Sequence, residues 1–196
     1  IIFIKRPNFF INFFFDETEI SYENYEINDN TNYHYLTLYL NLLKKLNIKI
    51  FSKNHYLPFY QAKNISNFKN GYTLIHVDQR WEQFPQSVSI NLKEKLLKLS
   101  MSTNLVVSSN IGGNKVFEFL NNELFNKPNI EIIKDPNLGD TISLVYYSNS
   151  CISSHSGLIV HTAASFNKKI IDIVSIDIFN ELDRWIPYNV DYKRFD

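Results

Sequence analysis

Between residues 151 and 174 the chain reads CISSHSGLIVHTAASFNKKIIDIV, which predicts a strand, a small-residue turn, a helix and a second strand. Ser154, His155, Ser156 and Gly157 follow the apolar strand end at 151–153, and such residues make tight turns that expose backbone N–H groups. The helix predicted over 158–166 carries Thr162, Ala163 and Ala164, small enough to let it pack closely on a sheet. A helix that begins right after a strand turns unpaired N–H groups, and the positive end of its dipole, toward whatever sits above the sheet. The chemistry of such a place is anion binding. His155 and His161 flank the Ser-Gly turn, and two histidines there are either ligand contacts or satisfied structural residues.

Two further loops carry residues of the same kind. His76-Val77-Asp78-Gln79-Arg80-Trp81 offers a cation, a carboxylate and a flat aromatic ring. Arg80 there either binds an anion or stacks on Trp81 as a surface pair. Ser108-Ser109-Asn110-Ile111-Gly112-Gly113-Asn114 is a glycine-containing turn that leads into a helix. With no Gly-Lys-Ser/Thr after it, this is no P-loop; Asn110, Gly112 and Gly113 either cradle a phosphate or make a plain strand-to-helix turn. Metal chemistry is not expected, because His34, His55 and His76 are scattered and have neither a cysteine partner nor metal-ligand spacing.

The elements that must position these loops alternate regularly after residue 70. Strands are predicted over 72–77, 105–108, 130–133, 151–153 and 169–174, with helices over 91–100, 115–125, 141–148 and 158–166 and a turn over 135–139. That alternation predicts an α/β fold, a Rossmann-like, mostly parallel sheet with helices on both faces. In an open parallel sheet ligands collect at the carboxyl ends of the strands, where all three loops fall. Together they would hold a diphosphate and the sugar or base attached to it. Residues 1–62 are expected to be a short α/β remnant of an N-terminal domain, with a helix over 33–46 and a strand over 48–51, and residues 63–196 the nucleotide-binding domain. Asp16, Glu17 and Glu19 are expected to be solvated acids.

Composition narrows the class. The chain has 196 residues, 44% of them apolar, enough for a real core. Twenty basic and twenty acidic residues give a formal charge of zero, so no broad field draws nucleic acid or an anionic membrane, and any anion must be bound locally. The single cysteine, Cys151, excludes an internal disulfide and is expected to act as a small buried hydrophobe. The apolar start is broken by Lys5, Arg6, Pro7 and Asn8, so it falls short of the roughly 20 residues that span a bilayer and lacks the layout of a signal peptide. The first residue is Ile1 rather than Met, and the chain is expected to be part of a longer protein.

Residues 72–174 resemble the C-terminal, nucleotide-sugar-binding domain of glycosyltransferase family 9, the GT-B family that includes the lipopolysaccharide heptosyltransferases. The resemblance runs in order through Leu74-Ile75-His76 and the Arg80-Trp81 loop, then Leu105-Val106-Val107-Ser108-Ser109 with its glycine turn, then Leu138-Gly139-Asp140-Thr141-Ile142. It ends on Ser156-Gly157, His161 and Ala163-Ala164, where the family has an Asp-Ser-Gly turn, a histidine and an alanine-rich helix. The resemblance implies a cytoplasmic transferase that moves a sugar from a nucleoside diphosphate to a glycan or lipid-linked acceptor, without a metal or other cofactor, and touches a membrane only through that acceptor. It further implies that the amides of Ser156, Gly157 and Leu158 receive the diphosphate beside His155 and His161. Thr141 and Ile142 would line the nucleoside, and Arg80 would neutralise charge on the leaving diphosphate. This chain has His155 where the family has Asp, and four steps rather than three from Gly157 to His161. The family's general base lies in the N-terminal domain, so the resemblance assigns no catalytic base here. Two other readings stand beside it: a sugar- or nucleotide-binding module without catalysis, and another GT-B-like enzyme such as a fucosyltransferase-type protein or a sugar-nucleotide epimerase.

Overall fold

The computed structural model describes residues 62–110, 114–179, 181–187 and 190–196. The elements expected over 33–46 and 48–51, the acids Asp16, Glu17 and Glu19, and the pair Gly112 and Gly113 lie outside them. Six strands, β1 (Thr73–His76), β2 (Leu105–Ser109), β3 (Ile130–Lys134), β4 (Ser150–Ser153), β5 (Lys169–Ile173) and β6 (Tyr192–Phe195), form one sheet in the order β3-β2-β1-β4-β5-β6. Every neighbouring pair is parallel. β1 and β2 are buried at every residue, and the runs TLIH and LVVSS are what a parallel strand covered on both faces demands.

Four helices connect the strands: α1 (Gln86–Ser100), α2 (Lys115–Leu124), α3 (Leu138–Tyr147) and α4 (Gly157–Ser165). Two apolar clusters show which face each covers. Ile75, Val77, Leu105 and Val107 pack with Leu92 and Leu96 of α1 and Phe117 and Leu120 of α2. Tyr72, Leu74, Val106, Cys151 and Ile170 pack with Leu144 and Val145 of α3 and Ile159, Val160, Ala163 and Ala164 of α4. Alternation of side chains along each strand separates the two sets. The expected Rossmann-like sheet with helices on both faces is therefore the fold that forms. Cys151 is a fully buried free thiol, its pKa pushed up to about 11, first by burial.

The structure differs from the sequence reading in four places. α1 starts at Gln86 rather than 91, because Pro85 opens it where QSVSI gives little amphipathic signal. α3 starts at Leu138, inside the expected turn, because Asn137 caps it. A 3-10 turn, Gln79–Gln83, occupies the loop after β1. β6 was not foreshadowed: YKRF is a short, half-exposed edge strand with no apolar run.

Candidate functional site

The sheet order reverses between β1 and β4: from β1 the chain moves outward through β2 and β3, and from β4 through β5 and β6. A crevice at the carboxyl ends of such a strand pair is where α/β sheets of this kind bind ligands. The loop after β1 and the turn after β4 stand on its two sides, and Gln83 Nε2 donates across it to Ser154 Oγ at 3.4 Å.

On the β4 side, Ser154 and Ser156 are buried and Gly157 opens α4. Ser156 is the N-cap residue, yet its side chain makes no capping bond to the first turn of the helix. A Cβ added at Gly157 would meet nothing within 4 Å. The side-chain position of Gly157 thus faces open space. Leu158 and His161 share the outer side of α4, while Ile159, Val160, Thr162, Ala163 and Ala164 are buried.

The other helix starts are occupied. Asn114 Oδ1 accepts from Val116 N at 2.9 Å and Phe117 N at 3.1 Å, and Glu82 Oε1 accepts from Lys115 N at 2.7 Å, so α2 already ends on a carboxylate. Asn110 therefore borders a helix end that has its partners. At α3, Asn137 Oδ1 accepts from Asp140 N at 2.9 Å, and Asp140 adds a negative charge to the first turn. Thr141 is buried and its hydroxyl donates back to the Asn137 carbonyl at 2.9 Å. α1 also lacks a side-chain cap, but it starts only after the 3-10 turn has carried the chain away from β1.

In the loop after β1, Arg80 is half exposed and forms an ion pair with Asp78 at 2.7 Å. Asp78 also accepts from Arg80 N at 3.0 Å, which fixes the turn. Trp81 is not a surface ring. It is 2% exposed, lies against Phe84, and donates its indole N–H to the His76 carbonyl at 2.9 Å, so the surface stack of Arg80 on Trp81 is excluded.

Beneath the crevice lies a polar row. Leu74 is in register with Val106 and Cys151, and Cys151 with Ile170. Two residues further along the strands, Ser108, His76, Ser153 and Asp172 replace that apolar row, all fully buried. His76 Nδ1 lies 3.1 Å from Ser108 Oγ, and its Nε2 has no protein partner. Burial, its largest influence, lowers the His76 pKa to about 4, so the ring is neutral at pH 7. Asp172 accepts from His155 N, from Ser153 Oγ at 3.4 Å and from Tyr192 OH at 2.8 Å, and lies 3.3 Å from His155 Nδ1. His155 has φ +47°, a left-handed conformation that costs a non-glycine residue about 1–2 kcal/mol. The sequence reading missed Asp172, Tyr192 and Glu82. One signal was present: a lone carboxylate in the apolar run KIIDIV.

The architecture is an α/β domain with a Rossmann-like parallel sheet, consistent in fold with one half of a GT-B protein. Among solved structures, a glycosyl transferase of family 9 from Veillonella parvula DSM 2008 shares this fold, with a TM-score of 0.56 at 13% identity over 85% of this chain and 50% of that one. The E. coli heptosyltransferase WaaC with ADP-2-deoxy-2-fluoro heptose aligns with a TM-score of 0.47 at 12% identity, over 67% of this chain and 38% of that one. The chain therefore spans half the length of the Veillonella protein. No family model and no curated protein matches the chain. Among the described residues, no helix is long and apolar enough to cross a membrane, and no three His, Cys, Asp or Glu side chains stand together as metal ligands.

Proposed function

We propose that residues 63–196 are the donor-binding half of a glycosyltransferase, holding a nucleoside diphosphate sugar with its diphosphate at the start of α4. One observation carries this reading: at the point where the strand order reverses, a helix starts with no side-chain cap and with open space at its first residue, Gly157. The likeness in fold to a family 9 glycosyl transferase supports it.

In such a transfer the bond between the anomeric carbon and the diphosphate oxygen breaks, and the acceptor hydroxyl oxygen bonds to that carbon. Negative charge grows on the departing diphosphate, where the amides of Gly157 and Leu158 and the helix dipole stabilise it. Arg80, half exposed beside Asp78 in the loop after β1, supplies the cation on the other side of the crevice. The acceptor's proton passes to a base supplied by the N-terminal domain. On this reading the reaction needs no metal, runs in the cytoplasm and reaches a membrane only through a lipid-linked acceptor.

The test is titration of the chain with ADP, UDP, GDP and CDP, with thermal stability as readout, since a ligand of the folded state raises the melting temperature. At least one nucleotide is expected to stabilise the chain. Gly157→Ala is expected to keep the fold, gaining up to about 1 kcal/mol because alanine favours a helix. The same variant is expected to weaken nucleotide binding at least about tenfold, because its methyl occupies the space the diphosphate enters. Binding that survives in a folded Gly157→Ala places the anion elsewhere and rejects this site.

A further inference from the structure

The turn that opens α4 contains two features that do not hold themselves. His155 is in the left-handed region at φ +47°, and the Ser156 side chain does not cap the helix. What holds the turn comes from another strand. Asp172, fully buried at the carboxyl end of β5, accepts the His155 backbone N–H on one oxygen, and its other oxygen faces His155 Nδ1 at 3.3 Å. The same carboxylate is fixed by Ser153 Oγ at 3.4 Å and Tyr192 OH at 2.8 Å, so β4, β5 and β6 all converge on it. Burial, and then the Asp172 charge, pushes the Tyr192 phenol well above the ordinary tyrosine range, which keeps its proton on as the donor.

We infer that Asp172 is a positioning residue: it clamps the His155 backbone in the left-handed conformation and so aims the first N–H groups of α4 into the crevice. The clamp itself is independent of what binds, whereas its effect on ligand rests on the donor-binding reading above. A neutral amide at 172 keeps an acceptor for one N–H but replaces the other oxygen by a donor, which cannot accept from His155 or Tyr192. The turn then loosens, because the bonds from His155 Nδ1 and Tyr192 that fix the side chain beneath the left-handed residue are lost. Glycine at 155 adopts that conformation without cost, so it should rescue part of what the amide loses.

Two measurements on the full chain decide it. Hydrogen exchange of the free protein is expected to speed up about tenfold or more at residues 154–158 in Asp172→Asn, while amides of β2 stay protected as in the wild type. Titration with ADP, UDP, GDP and CDP is expected to show binding about tenfold weaker in Asp172→Asn and partly restored in Asp172→Asn/His155→Gly. Leu120→Ala, a core truncation on the opposite face of the sheet, is the control for general loss of stability and is expected to bind within about twofold of the wild type. Unchanged exchange at 154–158 in folded Asp172→Asn overturns the inference. Where the wild type binds a nucleotide, so does equally tight binding by Asp172→Asn, or a loss shared with Leu120→Ala and not relieved at 155. A wild type that binds none of the four nucleotides, with exchange still raised by Asp172→Asn, upholds the clamp and removes the donor-binding reading instead.

Discussion

His76 ends β1 in a fully buried place, and burial there does two things at once. It keeps the imidazole neutral, with its pKa lowered from 6.5 to about 4, and it leaves Nε2 without a protein partner. In the unfolded chain the ring takes up a proton as pH falls through 6.5, whereas in the folded chain it does not until about 4. The unfolded state therefore gains protons first, and stability present above pH 6.5 is lost on the way down to 4, roughly 3 kcal/mol from this residue. Urea unfolding at pH 7.5, 6.0 and 5.0 is expected to show a decline for the wild type that His76→Gln makes shallower, even if the variant is less stable at pH 7.5. Parallel pH profiles would mean that the ring is protonated within the folded protein. The sequence places His76 near the end of a predicted strand, where the loop of Asp78 and Arg80 begins, without showing what its ring meets. Only the register of β1 with β2, which sets His76 beside Ser108, shows that it lies inside the sheet.

Helix ends separate the loops that the sequence could not rank. The glycine turn before α2 and the Ser-Gly turn before α4 both read as anion cradles, because local residue types report where a turn can form and not what fills it. Long-range partners decide. Glu82, from the loop after β1, reaches Lys115 N, and Asn114 bridges from the Val77 carbonyl to the first turn of α2. Ser156 makes no such bond. Replacing Asn114 by Ala is therefore expected to cost about 1–2 kcal/mol, the usual loss of a cap. Ser156→Ala is expected to stay within about 0.5 kcal/mol of the wild type. Chemical denaturation of the two variants checks the contrast, and equal losses would show Ser156 to be a cap after all. Existence and type of the elements were legible because β1, β2 and the small-residue face of α4 are runs of one character. β6 was not, because an edge strand needs neither apolar face nor alternation, and Asp172 acquires its meaning only from β6 and the turn.

At the scale of the whole molecule, charge and topology make different statements about the same ligand. The strand order puts the crevice at one place on the sheet, and equal numbers of acidic and basic residues give the chain no net field with which to attract an anion to it. Arg80, the cation in the loop on one side, is already paired with Asp78, and α2 and α3 start on acidic side chains. A nucleoside diphosphate would therefore be held by short-range N–H dipoles and not steered from a distance. Its association rate is expected to change less than about threefold between roughly 50 and 500 mM salt, because steering acts over a Debye length and needs an excess of one charge. Stopped-flow binding across that range is the measurement. A steep fall with salt would reveal a local positive field at the crevice strong enough to override the balanced total, and Arg80→Gln would then show whether breaking the pair with Asp78 alters that field.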